Sequence, residues 1–86
     1  MVSYQIEIKS SAAKELEKLP RKMIPRVVTA INELSKNPRP QGVKKLAGFE
    51  RTYRIRVGDY RILYDIYEKK LSIEIIRIRH RKDVYK

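Results

Sequence analysis

The chain has no cysteine, one histidine and only three glycines in 86 residues. Without cysteine there are no disulfide staples and no thiolate metal sites, so stability has to come from burial, as in a cytosolic protein. No histidine pair or carboxylate cluster has metal-ligand spacing and no glycine-rich phosphate loop is present, so neither a metal nor an organic cofactor is expected. A run of about 18 apolar residues is missing, as is a secretory apolar segment, which argues against membrane insertion or export. Internal repeats and low-complexity segments are absent too. Negative charge is scarce: 21 Lys and Arg stand against 10 Asp and Glu, a formal net charge of +11. Such an excess points to a polyanionic partner, unless it serves only to keep a small domain in solution. The length fits one domain, 1–86, with a single modest core.

What the chain does have is an alternating C-terminal half. Over 51–86 three successive strands are expected, their apolar positions interleaved with arginine. In 53–57 the two-residue period sends Tyr53, Ile55 and Val57 to one face and Arg54 and Arg56 to the other. Gly58 and Asp59 tolerate turn dihedrals, so a hairpin is expected into 60–67, where Tyr60, Ile62, Tyr64 and Ile66 hold the even positions. After Glu68, Lys69 and Lys70, a third strand over 71–78 runs into Arg77, Arg79, His80, Arg81 and Lys82. Cations collect at its end.

Upstream, residues 2–8 alternate Tyr4, Ile6 and Ile8 against Ser3, Gln5 and Glu7, the pattern of a half-buried strand. Ser10 or Ser11 is suited to cap a short helix bearing Ala12, Leu16 and Leu19 that ends near Pro20. Ile24, Val27, Val28, Ile31 and Leu34 recur at helical spacing and predict a second helix as the main cover of the sheet, with Pro25 in its first turn, where a missing amide donor costs little. Two prolines and a glycine make 36–42 a loop. The expected class is α+β, in the order β-α-α-β-β-β: two N-terminal helices packed on a mostly antiparallel four-stranded sheet. Patterning leaves open where the first strand adds.

Three motifs occur in order within this small basic chain: Lys44-Lys45-Leu46-Ala47-Gly48 ahead of the sheet, Gly58-Asp59-Tyr60-Arg61-Ile62 at the hairpin, and His80-Arg81-Lys82-Asp83-Val84-Tyr85 at the end. With this order of elements the chain resembles the RelE/ParE superfamily of toxins over essentially its whole length. The resemblance implies a RelE-like fold and, for the RelE branch, a ribosome-dependent endoribonuclease that cleaves mRNA in the ribosomal A site by 2′-hydroxyl attack without metal. It further implies a type II toxin–antitoxin system, with a cognate RelB-like antitoxin, promoter DNA reached only through the antitoxin complex, a cytoplasmic location and no membrane partner. The superfamily also offers an alternative, a ParE-like DNA gyrase inhibitor without nuclease activity. A plain nucleic-acid-binding module would explain the charge but not the ordered motif.

Cleavage of this kind needs an acceptor for the 2′-hydroxyl proton, cations for the phosphorane charge and a donor to the leaving 5′-oxygen. Arg61 matches the family's phosphate-stabilising arginine, and its guanidinium can hold two phosphate oxygens at once; pairing with Asp59 or Asp65 is the structural alternative. Arg81 matches the arginine assigned to the leaving group, although its high pKa suits it better to charge stabilisation. Tyr85 matches a tyrosine that stacks on a base or assists proton transfer, against the reading of a tail residue that packs on the domain. Arg54 and Arg56 stand where the best-known RelE proteins carry two lysines, and a guanidinium is no plausible base; both remain phosphate ligands about 6.6 Å apart along the strand. His80 is then a candidate base, its neutral form favoured by flanking Arg79 and Arg81. Lys44 and Lys45 are further candidates for the acceptor and, with Arg79 and Lys82, for RNA contact. Tyr60, Tyr64 and Tyr67 read better as strand packing than as base stacking, and Glu7, Asp65 and Glu74 as cross-strand partners of arginines.

Overall fold

The computed structural model describes residues 3–82. In chain order the elements are β1 (Gln5–Ile8), α1 (Ser10–Glu17), α2 (Met23–Leu34), β2 (Lys44–Lys45), β3 (Thr52–Val57), β4 (Tyr60–Tyr67) and β5 (Ser72–His80). The α+β class is as expected, but the sheet has five strands, ordered β1-β5-β4-β3-β2. The additional strand, β2, is two residues long, too short to show alternation in sequence. It pairs antiparallel with β3, as β3 does with β4 and β4 with β5. β1 adds in parallel to β5 at the edge, so that the first and last strands lie side by side.

α2 follows from its stripe. Val27, Ile31 and Leu34 are buried and Ile24 half-buried, while Val28, on the flank of the stripe, is 37% exposed. Pro25 is its third residue, inside the first turn. α1 is shorter than expected, ending at Glu17, and its N-cap is Lys9 with no side-chain cap bond, so neither Ser10 nor Ser11 caps it. Ser10 is already helical, because the Lys9 amide is taken by Ile75 O (2.9 Å) as β1 leaves the sheet. No helix among the described residues is long and apolar enough to cross a membrane.

One face of the sheet meets the helices. Ile55, Ile62, Tyr64, Ile66, Ile73, Ile75 and Ile78 pack there against Ala12 and the α2 stripe, and each fully buried aliphatic side chain contributes about 1.5–3 kcal/mol relative to exposure. Ile8 falls outside this core at 40% exposure, on the last residue of the edge strand. Tyr64 is fully buried with its hydroxyl donating to Pro38 O (2.7 Å), which fastens the 35–43 connection to the sheet; burial pushes that hydroxyl's pKa up.

β5 carries a bulge that sequence reading missed. Leu63 pairs with Arg77 but Tyr64 with Ile75, leaving Ile76 as an extra residue. Strict alternation from Ile73 and Ile75 would turn Arg77 and Arg79 into the core. The bulge reverses the phase, burying Ile78 and sending both arginines to the open face. The signal was present as the apolar doublet Ile75-Ile76, after which the apolar positions change from odd to even numbers.

Candidate active site

The open face is read from register, since directly opposed residues share a face. Arg56 opposes Arg61, and Arg61 opposes Arg79, so three guanidinium groups lie in a row across β3, β4 and β5. The next row, about 6.6 Å along the strands, holds Lys44, Arg54, Leu63 and Arg77. Like charges opposed in this way destabilise a sheet. Part of that cost is offset by fixed partners. Arg56 Nε donates to Gly58 O at 2.9 Å. At the outer end Glu15 of α1 reaches round the β5 edge beyond the end of β1: its Oε1 accepts the Ile78 N–H (2.9 Å) and its Oε2 accepts Arg79 Nε (2.8 Å), with Arg77 Nη1 at 3.8 Å. Glu15 binds Nε and leaves Arg79's terminal nitrogens for other acceptors.

Arg81 lies just past β5. Its N–H donates to Asp59 O (2.8 Å), extending the β4–β5 ladder by one bond to the hairpin tip, and its Nε is 4.0 Å from Asp59 Oδ1. These contacts hold Arg81 at the hairpin tip, in the turn just beyond the strand end. The hairpin turn that positions this end is the two-residue Gly58-Asp59 link, where Gly58 adopts φ +61. Asp65 serves elsewhere, accepting the Thr52 hydroxyl at 2.5 Å.

Two candidates fall away from this group. His80 follows the phase of Ile78 and opposes Tyr60 on the helix side, the two rings meeting edge-on at 5.3 Å. Its Nδ1 accepts the Lys82 N–H (3.2 Å), a local turn contact. Lys45 opposes Tyr53 and so shares the helix side, whereas Lys44 opposes Arg54 on the open face. Lys82 is exposed beyond the strand end. Tyr85 lies outside the described residues. Glu7 and Glu74 do not face arginines either: Glu7, Glu74 and Asp65 oppose one another in a row beyond Leu63, so the open face is cationic toward the hairpin tip and acidic toward the other end. Among the described residues no group of three or more His, Asp and Glu is placed to hold a metal ion. Sequence reasoning passed over Glu15, whose partners are 63 and 64 residues away.

Residues 6–85 match the family described as ParE toxin of type II toxin–antitoxin system, parDE. The chain is a type II toxin of the RelE/ParE superfamily. Toxin RelG of Mycobacterium tuberculosis is 34% identical to this toxin over 87 residues, spanning 96% of this chain and 97% of that one. The archaeal RelE in complex with RelB from Pyrococcus horikoshii superposes with a TM-score of 0.83 at 30% identity, covering 95% of this toxin and 99% of its counterpart. In the RelBE2 toxin–antitoxin complex of M. tuberculosis the matching chain gives 0.79 at 32% identity, over 92% and 99%.

Proposed function

We propose that this toxin is a RelE-type endoribonuclease that cuts messenger RNA on the ribosome. The observation that carries the reading is the Arg56–Arg61–Arg79 row, set across three strands on one face, with Arg81 held at the adjoining hairpin tip. Guanidinium groups there suit a pentacoordinate phosphate, whose added negative charge they meet with fixed donors. The substrate's own 2′-oxygen attacks the adjacent phosphorus, the bond to the 5′-oxygen breaks, and a 2′,3′-cyclic phosphate and a 5′-hydroxyl result. Arg61, at the centre of the row, holds the non-bridging oxygens, flanked by Arg56 and Arg79. Arg81 meets the charge building on the leaving 5′-oxygen. Of the three side chains suited to accept the 2′-hydroxyl proton, Lys44 shares the face with Arg54, and we assign it that role.

The partners follow from the same chemistry. A polyanionic A site matches a chain of net charge +11, and the toxin acts in the cytoplasm, where ribosomes and messenger meet. Relatives are found with RelB antitoxins, and a RelB-like antitoxin that covers the arginine row would silence this toxin, with promoter DNA contacted through that complex. A second reading, gyrase inhibition without RNA cleavage, draws on the match to the ParE family description.

Translation reactions with mapped messenger ends decide between them. Wild type yields cuts within codons on the ribosome; Arg61→Ala lowers cleavage by about 100-fold or more, in the range of losing one transition-state donor. Lys44→Ala lowers it too, and His80→Ala leaves it intact. Intact messenger together with inhibited DNA gyrase would overturn the nuclease reading.

A further inference from the structure

About 20 Å from Arg61 along β4, at six residues of about 3.3 Å each, lies a second cationic feature that the proposed cleavage does not use. A cleft of about 460 Å³ opens there, lined by Arg39, Arg51, Lys69 and Lys70 together with Tyr53 and Tyr67, a volume within the range of small-ligand sites. Arg51 Cζ and Lys70 Nζ each stand 5.1 Å from the centroid of the Tyr67 ring. Two acids also line it, and they leave the cations around Tyr67 in excess. Glu68 is engaged by Arg39 Nη2 and by the Tyr4 hydroxyl, while Glu50 has a side chain 93% exposed and touches Arg51 only at 3.9 Å. The connection bearing Lys69 and Lys70 is held by Leu71 at φ +52, a left-handed conformation that a leucine adopts only under constraint.

We propose that this cleft binds an unpaired RNA nucleotide, its base stacked on Tyr67 and its phosphate held by Arg51, Lys69 and Lys70, and that this nucleotide belongs to a different RNA segment from the one cut at Arg61. The ligand class follows from the residues. Tyr67 is half-buried, the cations over its ring are weakly held, every base offers a π-face that can take the place of one of them, and a displaced flexible cation reaches the attached phosphate. The separation follows from the acidic row of Glu7, Glu74 and Asp65, which lies between the arginines and Tyr67 and repels a backbone running directly from one site to the other. The inference deepens the RNA-directed reading above, but its test needs no cleavage.

A fluorescent single-stranded 2′-O-methyl oligoribonucleotide, which cannot undergo 2′-hydroxyl attack, is titrated into Arg61→Ala protein at several salt concentrations. Binding is expected to persist, to weaken about tenfold on adding Tyr67→Ala, and to recover with Tyr67→Phe. Adding Arg51→Ala and Lys70→Ala together lowers the slope of log K against log salt by about 1.4. Absence of binding in the Arg61→Ala background, or unchanged affinity with Tyr67→Ala in protein of unchanged urea midpoint, overturns the proposal. If the cleft binds but no messenger is cut, the nuclease reading falls and the cleft stands. On ribosomes, Tyr67→Ala that lowers affinity with cut positions unchanged assigns the nucleotide to ribosomal RNA, and one that redistributes the cuts assigns it to a distant part of the messenger; both agree with the proposal.

Discussion

Glu15 holds the outer end of the arginine row, and replacing it reads out how much that clamp contributes. Its side chain is 22% exposed, so both carboxylate oxygens act partly out of water. The bond from the Ile78 N–H at 2.9 Å has an ionised acceptor, worth about 1.5–3 kcal/mol. The pair with Arg79, whose side chain is 36% exposed, is discounted for screening to about 0.5–1 kcal/mol. Arg77 at 3.8 Å, with a side chain 49% exposed, adds almost nothing. Glu15→Ala therefore destabilises by about 2–4 kcal/mol, a fall in Tm of about 10 °C or more for a domain of this size. Glu15→Gln keeps an oxygen for the Ile78 N–H and loses the charge, so its cost is about 1 kcal/mol and about 5 °C. Thermal unfolding followed by circular dichroism measures both. A double-mutant cycle then separates the partners, with coupling of about 0.5–1 kcal/mol between Glu15 and Arg79 and close to zero with Arg77. Equal losses for Ala and Gln would refute the assignment of the larger share to the strand N–H, and an unchanged Tm for Glu15→Ala would refute the clamp altogether.

Other outcomes follow from the turn and from the 35–43 connection. Gly58→Ala places a side chain at φ +61, with its Cβ 3.2 Å from Cε at the end of the Met23 side chain; the strain is expected to cost about 1–3 kcal/mol, seen as a lower urea midpoint at unchanged m, and a wild-type midpoint would show that the turn relaxes freely. The Arg39 guanidinium, with the Tyr4 hydroxyl, holds the Glu68 carboxyl below its ordinary value of 4.5. A depressed carboxyl stabilises the fold above that value and loses its contribution as pH falls through the lower folded one. The stability gap between wild type and Glu68→Gln should thus narrow in acid, and a gap constant with pH would contradict the ion pair.

By itself the sequence determined what depends on neighbours in the chain. The two-residue period of 53–57 and 60–67, the i, i+4, i+7 stripe of Val27, Ile31 and Leu34 and the Gly58-Asp59 link specified the helix, the hairpin and the face of Arg54, Arg56 and Arg61, because side-chain direction along one element follows from backbone geometry alone. The ordered motifs marked the superfamily for the same reason, since each is a short run of consecutive residues. Tertiary structure decided everything that required two distant segments to meet. Parallel pairing of β1 with β5 leaves the Ile78 N–H for Glu15, a contact between residues 63 apart. The extra residue at Ile76 turned Arg79 toward Arg61 and His80 toward Tyr60, an outcome set by which isoleucines the helices can bury. Register between strands is chosen by the packed core as a whole, and no local pattern records that choice.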